Sequence, residues 1–296
     1  MGGSLAGPSA VRGLTATRME YFTSIAGLRI PGIIYGTAWK KADTRRLVET
    51  AIRQGFRGID TACQPKHYDE DGAGAGIAAS GLARRELYVQ TKFTSVSGQD
   101  PDRIPYDSTA PLAEQVAQSC AASLRNLQTD YLDCLILHSP LPTAERTRAA
   151  WQAFEALVDA GGVRQIGVSN CYDLAELEHL WNQSRIKPAV VQNRFYAETG
   201  YDREIRAFCA KKQIVYQSFW TLTANPHILA HPTLGALAAA RQRTAPQIFF
   251  RYLTQCGVAP LTGTRSESHM REDLSIFEFE LNEAQRRAID GIFDAI

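Results

Sequence analysis

Four polar residues, Asp60, Tyr68, Lys92 and His138, would form a proton donor if the fold brought them together. A free tyrosine, with a pKa near ~10, gives up its proton reluctantly at neutral pH. An ammonium beside it favours the phenolate and lowers that pKa toward the working range, while a carboxylate holds the ammonium charged and in place. A neutral imidazole in the same pocket can donate a hydrogen bond to a carbonyl oxygen and orient it. The four together would protonate an alkoxide as it forms by hydride delivery. Singly, each has an ordinary explanation. A tyrosine packs, a strand-end lysine and aspartate make a rim ion pair, and a histidine after Cys134-Leu135-Ile136-Leu137 sits in a core. Their order along the chain, three of them closing apolar runs, argues for a shared site.

Those runs are strand candidates, at 32–36, 56–60, 87–92, 131–138, 165–168, 189–192, 214–218 and 258–261. Amphipathic stretches alternate with them. The stretch 44–54 puts Leu47, Val48, Ala51 and Ile52 on one helical face, and 113–126 and 146–160 repeat the habit, the latter stopping at Gly161-Gly162. Eight strand–helix units predict an α/β fold of the (β/α)₈ TIM-barrel type, for which ~250 residues is typical. A doubly wound open sheet shows the same alternation. Two features favour the barrel. Asp60, Lys92, His138, Ser169-Asn170 and Gln192 each end an apolar run, where barrel chemistry gathers, and the glycine-rich turn of an open sheet is missing after the first strand. The cluster Gly72 to Gly76 follows Tyr68-Asp69-Glu70-Asp71, not a strand, and reads as a helix start.

The chain has 296 residues, 45% hydrophobic and 21% charged, ample for a buried core. With 32 basic against 31 acidic residues, it carries no electrostatic footprint for nucleic acid or an anionic membrane. No apolar run reaches the ~20 residues that span a bilayer. The first residues match neither a secretory signal nor a myristoylation pattern, and six scattered cysteines without a CxxC pair suit a reducing, cytoplasmic setting. Residues 1–18, small and polar, read as a flexible leader, and 19–296 as one barrel domain. The expected partner is a small molecule, with the chain a monomer or weak oligomer.

The sequence resembles the aldo-keto reductase family. The resemblance is carried by Tyr35-Gly36-Thr37-Ala38-Trp39, Gly58-Ile59-Asp60-Thr61-Ala62, Thr91-Lys92-Phe93, Leu135-Ile136-Leu137-His138-Ser139-Pro140, Ile166-Gly167-Val168-Ser169-Asn170 and Val191-Gln192-Asn193. It covers about residues 21 to 293 and implies a barrel that binds a nicotinamide cofactor without a Rossmann domain. By this likeness Asp60, Tyr68, Lys92 and His138 are the catalytic tetrad, with Tyr68 the general acid. Ser169, Asn170 and Gln192 would hold the nicotinamide carboxamide, and Gly36, Thr37 and Ala38 would line the cofactor near Asp60. The family's stacking aromatic falls at Phe219, with Tyr216 and Trp220 as rivals and Leu222 following.

Several positions depart from the family pattern. Its tyrosine commonly lies five residues beyond the aspartate, where this chain has Pro65; the insert Gln64-Pro65-Lys66-His67 moves the role to Tyr68, the sole tyrosine between residues 36 and 87. After the last strand, Gly263 stands where a lysine is common and His269 where an arginine is common. Thr264 keeps a hydroxyl, and Arg265 or Arg271 could pair with a phosphate. NADPH is the cofactor the resemblance favours, with NADH open. The long segment 94–111 is expected to roof the substrate pocket, with Tyr106 a contact, and Trp39, Phe93 and Trp220 to give an aromatic mouth suited to aldehydes and ketones. The short stretch after the last helix suggests an open pocket, and the segment Ala62 to Tyr68 suggests a fungal-type member. Two other readings stand beside reduction of carbonyls to alcohols. One is a non-catalytic nicotinamide-binding sensor of the same fold. The other, a metal-dependent hydrolase on His227 and His231, lacks the glutamate of a zincin helix, and no metal is expected.

Overall fold

Strand periodicity organises the molecule. In the computed structural model, which describes residues 19–294, eight parallel strands close into a barrel: β3 (Ile34–Gly36), β4 (Gly58–Asp60), β5 (Tyr88–Phe93), β6 (Cys134–Leu137), β7 (Ile166–Ser169), β8 (Val190–Arg194), β9 (Val215–Phe219) and β10 (Val258–Thr262). Each pairs in parallel with the next, and β10 pairs with β3 to complete the ring. These are the eight runs read from the sequence, each shifted by a few residues. The predicted leader, 1–18, lies outside the described residues.

Alternate residues on each strand point in and out. On β5, Tyr88 joins the interior apolar cluster with Ile34, Cys134, Ile136, Val190, Val215 and Ala259, whereas Val89 and Phe93 join the cluster between strands and helices. The same parity turns Gln90 and Lys92 inward. The interior is therefore apolar at the amino ends of the strands, carries amides in the middle, and becomes charged at the carboxyl ends.

A hairpin that the sequence analysis did not anticipate, β1 (Tyr21–Thr23) paired antiparallel with β2 (Arg29–Pro31), closes the apolar end. Ile30 is fully buried in the interior cluster, and Ser24 Oγ donates to Gln165 Oε1 at 2.6 Å.

Helices cover the barrel: α1 (Thr44–Gln54), α2 (Glu70–Ala79), α3 (Leu112–Asn126), α4 (Ala144–Asp159), α5 (Leu174–Gln183) and α6 (Arg203–Lys212), then α7 (Pro226–Leu229), α8 (Pro232–Arg241) and α9 (Ala245–Gln255) between β9 and β10, and α10 (Glu267–Leu274) and α11 (Glu283–Asp294) after it. In α1 the predicted face, Leu47, Val48, Ala51 and Ile52, is buried. The Gly72–Gly76 cluster lies within α2 and serves packing. A Cβ at Gly74 would come within 2.0 Å of the Asn126 carbonyl, and one at Gly76 within 2.5 Å of the Arg45 carbonyl, so these glycines let α2 lie against its neighbours. His227 bonds the Tyr201 hydroxyl at 3.0 Å and His231 caps α8, so both histidines have structural partners. Among the described residues no helix is long and apolar enough to cross a membrane.

Candidate active site

The carboxyl ends of the strands open on a cavity of about 1020 Å³. Asp60, Tyr68, His138, Ser169, Asn170, Gln192 and Phe219 line it, as do Trp39 and Trp220. Lys92 lies just beneath, buried to 1% exposure. Its ammonium donates to both oxygens of Asp60 at 2.7 Å and to the Thr61 carbonyl at 2.9 Å, and it sits 5.2 Å from the centre of the Tyr68 ring. The Tyr68 and His138 rings meet edge to face, 6.1 Å apart. Four residues from separate parts of the chain thus converge at one mouth of the barrel.

The insert does the work of delivering Tyr68. Gln64 to Tyr68 forms a tight turn, with His67 and Tyr68 both donating backbone N–H groups to the Gln64 carbonyl. Tyr68 lies two residues before α2, whose first turn is pinned by Asp69 capping Gly72 N and by the buried Glu70, which accepts from Ser123 at 3.0 Å and Asn126 at 3.1 Å.

The electrostatics correct one expectation. Burial pushes the Tyr68 phenol above its ordinary value of 10.0, and the Lys92 charge and hydrogen bond offset this without reversing it. Tyr68 is therefore a firmly protonated phenol beside a cation that can stabilise the phenolate once the proton has left. Burial works against the Lys92 charge, yet Asp60, assisted by Tyr68, outweighs it and holds the ammonium above 10.5. Burial, then the charge of Lys92, drives His138 down to about 3, so its imidazole is neutral. Thr94 Oγ1 lies 2.6 Å from His138 Nδ1. With the threonine donating there, Nε2 carries the ring proton and can donate to a carbonyl oxygen.

Four predicted residues or segments fall elsewhere. Phe93 is fully buried and faces outward, because it follows the inward Lys92 on β5; it packs against Tyr106 and Phe154 at 5.6 and 6.4 Å. Tyr106 is buried with its hydroxyl on the Thr94 carbonyl, 2.7 Å away. Neither is a pocket residue, and the segment 94–111 contributes nothing to the cavity wall. It is drawn down against the Cys63–Gln64 turn by Gln64 donating to Gly98 O and Gln99 donating to Cys63 O. Thr37 also lies behind the wall, its hydroxyl and N–H both donating to the Asp60 carbonyl.

Left-handed backbone marks three wall residues at strand ends: Trp39 (φ 62°), Asn170 (φ 53°) and Trp220 (φ 55°). For bulky residues this costs roughly 1–3 kcal/mol each and collects at functional sites. Both tryptophans are half exposed. Trp39 lies 3.9 Å from the His67 ring, and the Arg194 guanidinium lies 4.1 Å over Trp220. His67 and Gln64, members of the insert, line the cavity too and were not singled out from the sequence.

Leu222, Thr264, Arg265 and His269 line the part of the cavity built from the segments after β9 and β10, here its far reach, and Gly36 and Ala38 line it as well. Arg265 is ion-paired with Asp43, whereas Arg271 lies outside the wall, 4.0 Å from Glu267. The sequence reading missed Lys40, which is 4% exposed and donates to the Gly263 carbonyl. A Cβ at Gly263 would come within 3.4 Å of this ammonium. Burial, with repulsion from Arg265, lowers Lys40 to about 8. Nearby, burial raises the Asp273 carboxyl to about 7, and Thr262 donates to it at 2.7 Å.

The profile of the Aldo/keto reductase family matches residues 32–294. The chain belongs to the aldo-keto reductase family. It is thereby a nicotinamide-dependent oxidoreductase. Relatives include a glyoxal reductase of Bacillus subtilis (strain 168), 33% identical over 83% of this chain and 82% of that protein, and an aldo-keto reductase of Mycobacterium sp. (strain JLS), 32% identical over 86% and 85%. Among solved structures, an aldo/keto reductase from Brucella melitensis superposes with a TM-score of 0.81 at 27% identity, covering 93% of this chain and 100% of that one. For an aldo-keto reductase the cavity suits its cofactor. At about 1020 Å³ it stands at the top of the range for small-molecule sites, and it runs from the Tyr68 end to a reach with three basic side chains, Lys40, Arg265 and His269.

Proposed function

We propose that this aldo-keto reductase reduces aldehyde and ketone carbonyls to alcohols with NADPH, using Tyr68 as the general acid. The supporting observation is the unbroken chain of contacts from Asp60 through Lys92 to Tyr68, ending at a cavity wall beside a neutral His138. A bound reduced nicotinamide supplies the hydride. His138 orients the carbonyl by donating from Nε2, and Tyr68 gives its phenolic proton to the oxygen. Lys92 stabilises the phenolate that remains, and Asp60 keeps Lys92 charged and aimed. Ser169, Asn170 and Gln192, which line the same cavity, would hold the carboxamide, and Phe219 would offer a π face. Trp39, half exposed at the mouth, borders the carbonyl's entry.

NADPH is favoured over NADH by the basic far reach. Among the described residues Lys40 has no carboxylate partner, and His269 lies in the first turn of α10, where backbone N–H groups favour an anion. A sensor without turnover has no use for a complete proton donor, so that alternative is not favoured. The fungal-type grouping rests on the Ala62–Tyr68 segment alone, and cytoplasmic placement and a monomeric or weakly oligomeric state belong to the same proposal. Oxidation of NADPH and of NADH should be followed with a panel of small dicarbonyls, aromatic aldehydes and ketones. The reading expects turnover of several carbonyls with a clear preference for NADPH. No turnover of any carbonyl with either nucleotide would overturn it.

A further inference from the structure

Three glutamines occupy the barrel interior at and beneath the proton-donor end: Gln90 on β5, Gln192 on β8 and Gln217 on β9, all 2% exposed or less. Barrel interiors are ordinarily filled by branched apolar side chains, so buried primary amides need a reason. Gln90 and Gln217 form a reciprocal pair. Gln90 Nε2 donates to Gln217 Oε1 at 2.7 Å, and Gln217 Nε2 donates to Gln90 Oε1 at 3.0 Å. Both are tied to the site above. Gln90 Nε2 also donates to Asp60 Oδ1 at 2.7 Å, while Gln192 Nε2 donates to Asp60 Oδ1 and to Gln217 Oε1, each at 2.9 Å.

The orientation of every amide in this network follows from chemistry. The ion-paired Asp60 carboxylate can only accept, so Gln90 and Gln192 must both turn their NH₂ groups toward it. Gln90 Oε1 is then left to accept from Gln217, and Gln217 Oε1 takes the second N–H of Gln192. Both N–H groups of Gln192 are thereby committed inward. Its carbonyl oxygen is the one polar atom of that amide with no partner among the described residues, and Gln192 lines the cavity.

We infer that Gln90 and Gln217 are positioning residues that lock Gln192 with its carbonyl oxygen toward the cavity, so that the site selects a pyridine ring bearing a primary carboxamide over one whose substituent lacks an N–H. This rests on the nicotinamide reading above and specifies how it is enforced. The selecting atom is an acceptor, and its aim depends on two side chains that touch neither cofactor nor substrate. Removing the Gln217 acceptor leaves one Gln192 N–H unpaired, free to turn outward and offer a donor instead.

The test compares dissociation constants of the full chain for NADP⁺ and for its 3-acetylpyridine analogue, which has an acetyl group in place of the carboxamide. Titrations are run on the native protein, Gln217→Leu, Gln217→Glu and Gln90→Leu, with thermal unfolding confirming that each is folded. A hydrogen bond of this kind corresponds to about a tenfold preference. The native protein should prefer NADP⁺ about tenfold, and Gln217→Leu should bind the two within about twofold. Gln217→Glu, protonated when buried, replaces the amide N–H with an O–H and keeps the acceptor, so it should retain the preference. Gln90→Leu, which leaves Gln217 unanchored, should fall between and decides the matter if Gln217→Leu does not fold. A folded Gln217→Leu or Gln90→Leu with the full native preference overturns the inference, as does a Gln217→Glu that loses it. Equal native binding of both nucleotides overturns it while leaving the nicotinamide reading intact; a native protein that binds neither overturns both.

Discussion

The two ends of the cavity are built differently. At the proton-donor end, Lys92 is buried to 1% exposure and Asp60 to 3%, and strands β4, β5, β6 and β8 fix the groups from inside the barrel. At the far reach, the basic groups come from connecting segments: Lys40 after β3, Arg265 and His269 after β10. Arg265 is half exposed, and its partner Asp43 is on the surface. Three of the four proton-donor residues rest on strand ends, with Tyr68 brought to them by the Gln64–His67 turn, whereas recognition of the cofactor's remote end rests on the segments after β3 and β10, which can vary without disturbing it.

Breaking the strand-borne end should have the largest effect. Lys92→Met strands the buried Asp60 charge, so it should lose about 3–5 kcal/mol of stability as well as about 10²–10⁴-fold in kcat. Denaturant unfolding of this variant and of Asp60→Asn/Lys92→Met checks the first part, since the double variant removes the orphan charge and should recover most of the stability without the activity. At the loop-borne end, Lys40→Met should weaken NADPH by about tenfold and NADH by less, with unfolding little changed, as read by nucleotide titration.

The two ends should also separate with pH. Tyr68 keeps its proton above 10.0 and His138 is neutral down to about 3, so kcat for reduction should be flat through the neutral range. Lys40, lowered to about 8, loses its charge as pH rises, and Asp273, raised to about 7, gains a negative one. Both changes disfavour an anionic ligand, so the dissociation constant for NADPH should climb from about pH 7, more steeply through pH 8, while kcat does not fall. The smallest effect belongs to Arg271→Ala. That side chain is exposed with a weak partner outside the cavity wall, and its loss should change NADPH binding by less than about twofold.

The same contrast explains what could be read from the sequence. Asp60, Lys92, His138, Ser169 and Gln192 were legible because each interrupts an apolar run, and a strand's period of two then sends them to one mouth. That period, applied more strictly, finds Gln90 and Gln217 two residues before Lys92 and Phe219, and it removes Phe93 from the pocket. The β1–β2 hairpin was missed because neither arm is an apolar run: Tyr21-Phe22-Thr23 and Arg29-Ile30-Pro31 mix polar, apolar and proline residues, and a proline in a short run argues against a strand. Lys40 was hidden as the first of two lysines after Trp39, where a sequence alone suggests surface charge. The segment 94–111 was misplaced because its length says nothing of where it is anchored, and Gln64 and Gln99 hold it away from the opening.

Replacing the Tyr68 hydroxyl addresses the central claim most directly. Turnover of a reactive aldehyde and NADPH affinity should be measured for Tyr68→Phe. The account predicts a loss of about 10²–10⁴-fold in kcat with cofactor affinity within about twofold of the native value. Near-native turnover by the folded variant would contradict it.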